Sequence, residues 1–345
     1  MTKCQRSFSI LLLALASGQP ALGTTIPLGA AANYAVLYTG TGGHNLQITN
    51  VTINGNIGVG GTGKVQYNGP GDITGELDFS AANTGQYSDN NGMNEGPTSV
   101  NYNDTAVTSA LSTVNSLNSS LAGLGNDLVI NGNQTTNESA GAMDTVNGVT
   151  YELFNVTSYS ENDGDVVTIS GNGSGDPVVL NFGSGLGNVN LGGDVILNGL
   201  GDDQVLWNFT SSGQNIQLNN NASSYPLPLA FQGDILAPND VISLVNANLD
   251  GRVLGGDSSD MQMVSGVTIT APTAVPEDWD LTVCFCSLRS LVQSWEYWRA
   301  RECCELSCRR ERPFFYDPCC RRLLLLHPSC NLVLRLTFLA TTIRQ

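Results

Sequence analysis

Over most of the chain, apolar and polar residues alternate at short range, the pattern of half-buried β-strands. Leu46, Ile48, Val51, Ile53, Ile57 and Val59 alternate loosely with Asn, Thr and Gly. Denser runs follow at 166–169, 178–182, 189–191, 195–197 and 205–209. Each run is short, β-branched or aromatic, and bounded by Gly, Asn, Asp or Ser, so the body reads as many short strands between tight turns.

One segment keeps a different period. From Asp104 to Leu124 the apolar residues are Val107, Ala110, Leu111, Val114, Leu117, Leu121 and Leu124, spaced by three and four, which predicts an amphipathic helix. Asp104 is placed to cap its start, and Gly123 and Gly125 to end it. Its polar face carries Ser, Thr and Asn, which are mediocre helix formers, so the helix depends on packing its stripe against a flank of the strands.

A phrase of Gly, a polar residue and an aliphatic residue recurs at Gly55-Asn56-Ile57, Gly75-Glu76-Leu77, Gly193-Asp194-Val195, Gly233-Asp234-Ile235 and Gly251-Arg252-Val253. The first two copies stand 20 residues apart, the third and fourth 40, and the last two 18. Those spacings suit coils of a β-solenoid, in which each coil contributes one strand per face and function falls on a repetitive outer surface.

Composition divides the chain into three parts. Residues 1–23 read as a secretory signal peptide: Lys3 and Arg6 precede an apolar run from Phe8 to Ala16, and small residues end the segment. Residues 24–275 hold 22 acidic residues against two basic ones, Lys64 and Arg252, and no cysteine. They read as one exported domain that repels nucleic acid and anionic membranes and is held by burial and strand pairing without disulfides. Residues 276–345 carry ten Arg and eight of the nine cysteines, and read as a tail that is unstructured or out of frame. The apolar run 323–326 in it is broken by His327 and Pro328, so no membrane anchor is expected as written.

At two places the residues resemble a known family. The opening Ile26-Pro27-Leu28-Gly29-Ala30-Ala31-Ala32-Asn33-Tyr34-Ala35-Val36-Leu37, with Ile53-Asn54-Gly55-Asn56-Ile57-Gly58-Val59, resembles the start of bacterial ice-binding-like domains. The closing Val205-Leu206-Trp207-Asn208-Phe209, Phe231-Gln232-Gly233-Asp234-Ile235-Leu236-Ala237-Pro238 and Leu249-Asp250-Gly251-Arg252-Val253-Leu254-Gly255-Gly256 looks more like the ice-binding-like adhesive domain, also called choice-of-anchor A or collagen-binding-type. The resemblance implies a mainly β fold, a right-handed parallel β-solenoid with one long α-helix alongside, secreted and often surface-anchored, and it carries no catalytic residues over. Thr273-Ala274-Val275-Pro276-Glu277 resembles the opening of a PEP-CTERM sorting signal, but Asp278-Trp279-Asp280 then departs from it. A frame slip explains the departure: read one base later, Trp279 between two Asp codons yields Gly, which restores the signal's usual opening.

Candidate chemistry changes little. His44, in Thr41-Gly42-Gly43-His44-Asn45, has no partner at catalytic or metal-ligand spacing and reads as a solvated loop residue. The turns Asp89-Asn90-Asn91-Gly92, Asn162-Asp163-Gly164-Asp165 and Gly256-Asp257-Ser258-Ser259-Asp260 offer oxygens to calcium but match no calcium motif, and read as Asx turns. Trp207 reads as a core aromatic. Asn50, Asn103, Asn118, Asn133, Asn137, Asn155, Asn172, Asn208 and Asn221 stand in glycosylation sequons, which matter where the source glycosylates its exports. Tail cysteines paired as Cys303-Cys304 and Cys319-Cys320 fit zinc knuckles poorly.

No cofactor or metal is expected, and no ligand-binding residue is singled out. The expected function is a secreted or cell-surface adhesin-like protein, not an enzyme, that binds an extracellular polymer, matrix or surface through a solenoid face. The alternative is an ice-binding protein, against which the Thr-x-Thr phrases Thr39-Gly40-Thr41 and Thr268-Ile269-Thr270 stand isolated. A polysaccharide lyase would need clustered basic residues or calcium, which two basic residues do not supply.

Overall fold

The computed structural model describes residues 23–272 apart from 84, 91–95, 137–140, 163, 221–229 and 257–258. These lie in the first of the chain's two units, Met1–Ala274. The signal peptide before Gly23, Asp163, Asn91, Gly92, Asp257, the sequons at Asn137 and Asn221, the sorting-signal opening and the Cys-rich tail with His327 lie outside the described residues.

The fold is mainly β, with strands stacked in parallel sheets as a solenoid and one long helix, as the sequence pattern predicts. A coil runs through three sheets in turn. In the first, Tyr34–Tyr38 joins the long sheet, Asn45–Thr49 a seven-stranded sheet, and Thr52–Asn54 a five-stranded sheet.

Coil order in space differs from order in the chain. The long sheet runs Asn126–Asn131, Val149–Ser160, Val178–Phe182, Val205–Phe209, Asp234–Ala237, Val253–Gly255, Tyr34–Tyr38, Asn56–Val59, Leu77–Ser80, Val100–Asp104. The first coil therefore lies directly on the last, with Val36, Leu37 and Tyr38 in register with Val253, Leu254 and Gly255. The same seam continues where Ile48 meets Met263 and Ile53 meets Ile269.

The helix α1 (Thr105–Leu121) makes this order feasible, because it returns the chain from one edge of the long sheet to the other. Its 17 residues rise roughly 25 Å, about five strand spacings. Asp104 caps it by accepting from the Ala106 amide at 2.7 Å. The predicted stripe is the buried face, with Val107, Ala110, Val114, Leu117 and Leu121 packed on Leu37, Leu153, Val179, Leu206, Leu236 and Leu254 of the long sheet. On the exposed face Thr113, Ser119 and Ser120 donate to carbonyls four residues back, which occupies hydroxyls that would otherwise compete with the helix.

Where α1 covers its outer side, the long sheet is buried on both faces, and the strands Tyr34–Tyr38, Val178–Phe182 and Val205–Phe209 there are near-continuous apolar runs. The inner side joins the other sheets in one core that includes Trp207, Phe182, Phe209 and Phe231. Trp207 is fully buried and its Nε1 donates to the Gln232 carbonyl at 3.1 Å, as a core aromatic should.

The recurrent Gly phrase marks one corner of the coil in four copies of five. Gly55, Gly75, Gly233 and Gly251 lead into long-sheet strands on neighbouring rungs. A Cβ on Gly251 would lie 2.1 Å from the Gly233 carbonyl oxygen, so stacked corners exclude side chains there. The Gly193 copy departs from the expected spacing: it opens Asp194–Asn198 in a separate three-stranded sheet, so the 40-residue interval to Gly233 does not count coils of one corner. One antiparallel pairing also appears, where Ala142–Val146 folds onto Val149–Ser160 through Asn147 (φ 53) and Gly148 (φ 85), a tight hairpin turn.

Candidate functional site

The three sheets differ in what lies outside them. Residues on the outer side of the long sheet are covered by α1, whereas the seven-stranded sheet presents its outer side to solvent. Its strands run Val189–Leu191, Asn215–Leu218, Val241–Val245, Met261–Val264, Asn45–Thr49, Lys64–Asn68, Tyr87–Asp89. In the first six of these strands the inward positions are the apolar ones, such as Leu46 and Ile48 or Ile216 and Leu218, so alternation leaves the residues between them facing out.

Parallel register brings one outward residue per strand into a line. Asn190 lies beside Gln217, Gln217 beside Ser243, and Ser243 beside Gln262. Across the seam Gln262 lies beside Gln47, then Gln66, then Ser88. Seven adjacent rungs thus carry only amides and hydroxyls, and the row spans roughly 29 Å at the usual strand spacing. All but Gln47 and Ser243 are exposed outright, and those two are half-buried. Among the described residues Asn190, Gln66, Gln217 and Gln262 make no side-chain hydrogen bond to protein, while Gln47 donates to Asp260 at 2.8 Å.

The row floors two open depressions. One, of about 640 Å³, is lined by Asn190, Gln217, Ser243, Gln262, His44 and Asp260. The second, of about 470 Å³, is lined by Lys64, Gln66, Tyr87, Ser88 and Tyr102. Tyr102 is 52% exposed and stacks on Phe79 with ring centroids 5.4 Å apart. Burial, reinforced by nearby Asp89, pushes the Tyr87 hydroxyl up to about 12.

His44 stands at the rim, with Nδ1 3.5 Å from Asp260. Sequence reasoning left it without a partner because Asp260 is more than two hundred residues away. Asp260 is itself a seam residue, since it also accepts from the Asn45 amide at 2.8 Å. Residues 162 and 165 close a turn in which the Asp165 amide donates to the Asn162 carbonyl at 3.0 Å and the Asn162 amide donates to the Asp165 carboxylate at 2.8 Å. No cluster of three or more His, Cys, Asp or Glu among the described residues could hold a metal ion.

The five-stranded sheet bears the Thr-x-Thr phrase. Thr268 lies in register with Thr52 and Thr270 with Asn54, so the phrase has a threonine neighbour the sequence hid. Asn248, Asp250 and Asp72 bound it on either side. Thr39 and Thr41 fall at a corner outside any strand.

Charge is buried elsewhere. Arg252, 3% exposed, pairs with fully buried Asp234 at 3.1 Å and also donates to the carbonyls of Ala32 and Pro272, tying the last coil to the N-terminal segment. Burial outweighs the Arg252 pairing and pushes the Asp234 carboxyl up to about 7. Burial likewise raises Glu161 to about 7, although the Tyr159 hydroxyl and the Gly193 amide donate to it. Of the sequons, Asn208 is fully buried and Asn118 nearly so, while Asn50, Asn103 and Asn133 are exposed.

The solenoid thus has one helix-covered flank and, on the seven-stranded sheet, an exposed polar row. Residues 16–263 match the model of the ice-binding-like adhesive domain, and the chain belongs to that family. Solved structures similar to it include an ice-binding protein of the Antarctic ascomycete Antarctomyces psychrotrophicus (15% identity, 73% of this chain and 100% of that one, TM-score 0.42). Others are an ice-binding protein from an Antarctic biological consortium (18%, 74% and 95%, 0.43) and the glycosylated ice-binding protein LeIBP of an Arctic yeast (16%, 75% and 99%, 0.41). No protein of curated function matches. No helix among the described residues is long and apolar enough to cross a membrane.

Proposed function

We propose that this is an exported, non-catalytic adhesin-like protein of the choice-of-anchor A type, whose domain 24–275 attaches to an extracellular polymer or surface through the seven-stranded face. The observation that carries this reading is the unbroken row from Asn190 to Ser88, exposed, uncharged and unengaged by the protein at most of its rungs. The family supports surface binding in general. Residues 1–23 are the signal peptide of this reading, and 273–277 the opening of a sorting signal lost to a frame slip. An apolar run of membrane-spanning length in another frame after Glu277 supports the slip, and its absence from both overturns it.

Ice is the second reading, favoured by the paired Thr52 and Thr268 on the five-stranded face. One experiment separates the two. Adsorption to extracellular matrix fractions and thermal hysteresis are measured for the native protein, a Gln217→Ala/Gln262→Ala variant and a Thr52→Ala/Thr268→Ala variant. Adsorption that falls only in the glutamine variant, with negligible hysteresis, is the expected result. Strong hysteresis lost in the threonine variant would establish ice binding instead.

A further inference from the structure

We propose that the row on the seven-stranded face takes a neutral, hydroxyl-rich polysaccharide strand laid along the solenoid axis. This rests on that face being the binding surface, and it names the ligand's chemistry.

Hydrogen-bonding capacity is the first argument. An amide both donates and accepts, and so does a hydroxyl, which makes Asn190, Gln217, Ser243, Gln262, Gln47 and Gln66 complementary to sugar hydroxyls, themselves donors and acceptors. Side chains that bond to one another would have to be released first, and Gln66, Gln217, Gln262 and Asn190 need no such release.

Charge is the second. The domain is strongly acidic, yet the seven side chains of the row carry no charge, and the ionisable groups beside it, Asp260, His44, Lys64 and Asp89, lie off the line. An anionic polymer would be repelled by the body, and the one basic strand residue beside the row, Lys64, cannot offset that. A cationic polymer would find its counter-charges elsewhere on the surface. A neutral chain is the ligand whose charge matches the strip.

Repetition is the third. Rungs recur at one strand spacing along a line of roughly 29 Å, so a ligand that itself repeats in one dimension sums many weak contacts, while a small molecule meets two or three. Protein partners are recognised by clustered Trp, Tyr and Arg in pockets, and the row has none. Aromatic surface is terminal: Tyr102, half exposed and steadied by Phe79, offers a flat apolar surface beside half-buried Tyr87 to the C–H face of a sugar ring where the row ends at Ser88.

The test is depletion from solution by insoluble polysaccharides, using the full chain. Native protein should be retained by a neutral glucan or chitin, little affected by added salt, and not by a polyuronate gel. Gln217→Ala/Gln262→Ala should weaken retention roughly tenfold while melting like the native protein, Tyr102→Ala should weaken it less, and Thr52→Ala/Thr268→Ala should leave it unchanged. Failure of every neutral polysaccharide to retain the protein overturns the inference, as does retention by the polyuronate alone. If collagen or ice is bound instead and the glutamine variant weakens that binding, the face stands and the ligand class falls. If a neutral polysaccharide is retained but the glutamine variant binds as well as the native protein, the face itself is wrong.

Discussion

The long sheet and the seven-stranded sheet come from the same coils and use the same amide side chains to opposite ends. Under α1, Asn118 donates to Asn208 at 2.8 Å and to the Phe209 carbonyl at 2.7 Å, Asn208 donates to Asn181 at 2.7 Å, and Asn181 donates to the Leu124 carbonyl at 2.9 Å. Every amide there is spent internally, as burial requires. On the seven-stranded sheet the amides stand at the same rung spacing but are left to solvent. What separates the engaged ladder from the free one is therefore the presence of a cover, since both are built from side-chain carboxamides at the same strand spacing.

The sharpest way to break this contrast is at the covered corner. Arg252→Ala leaves Asp234 buried without its partner and should cost about 3–5 kcal/mol, lowering the melting temperature by roughly 10 °C in calorimetry. Acidity probes another buried carboxyl. Glu161 has a folded-state value near 7, above its ordinary 4.5, so the native state binds more protons than the unfolded chain between those limits. Stability should be highest at acidic pH and fall as pH rises through 7, and Glu161→Gln should flatten the dependence of melting temperature on pH. A melting temperature that climbs between pH 5 and 8 would contradict this account.

Next in size is the buried ladder itself. Asn118→Ala orphans the Phe209 carbonyl and removes the Asn208 partner, for an expected loss of about 1–3 kcal/mol in chemical denaturation. Smallest is the bare ladder, where Gln217→Ala/Gln262→Ala should change stability by no more than about 0.5 kcal/mol. If the two ladders respond alike, the distinction between cover and exposure fails.

Much of this was legible from the sequence. Strand runs at 178–182 and 205–209 coincide with long-sheet strands because their continuous apolar character reflects burial on both faces. The stripe from Val107 to Leu121 and the cap at Asp104 predicted α1 because both signals are local. The seam was not legible, because nothing near Leu37 announces that Leu254 is its neighbour. The row was hidden for the same reason: Gln47 and Gln262 share a face through a contact between the two ends of the domain. His44 and Asp260 illustrate it once more. The sequon pattern carries no information on exposure, and only the helix docking shows that Asn118 and Asn208 are interior.

The seam also sets an order of events. Strands 34–38, 45–49 and 52–54 acquire their second neighbours only when 253–270 exist, so a chain emerging from its amino end must hold its opening coils unfinished until almost the whole domain has appeared. Closing contacts of such long range are slow to form. Pulse-labelled hydrogen exchange during refolding should find the amides of Thr39 and Thr52, which donate across the seam to the Gly255 and Val267 carbonyls, protected late, after those of Val205–Phe209, so that the first part of the domain to be synthesised is among the last to become native.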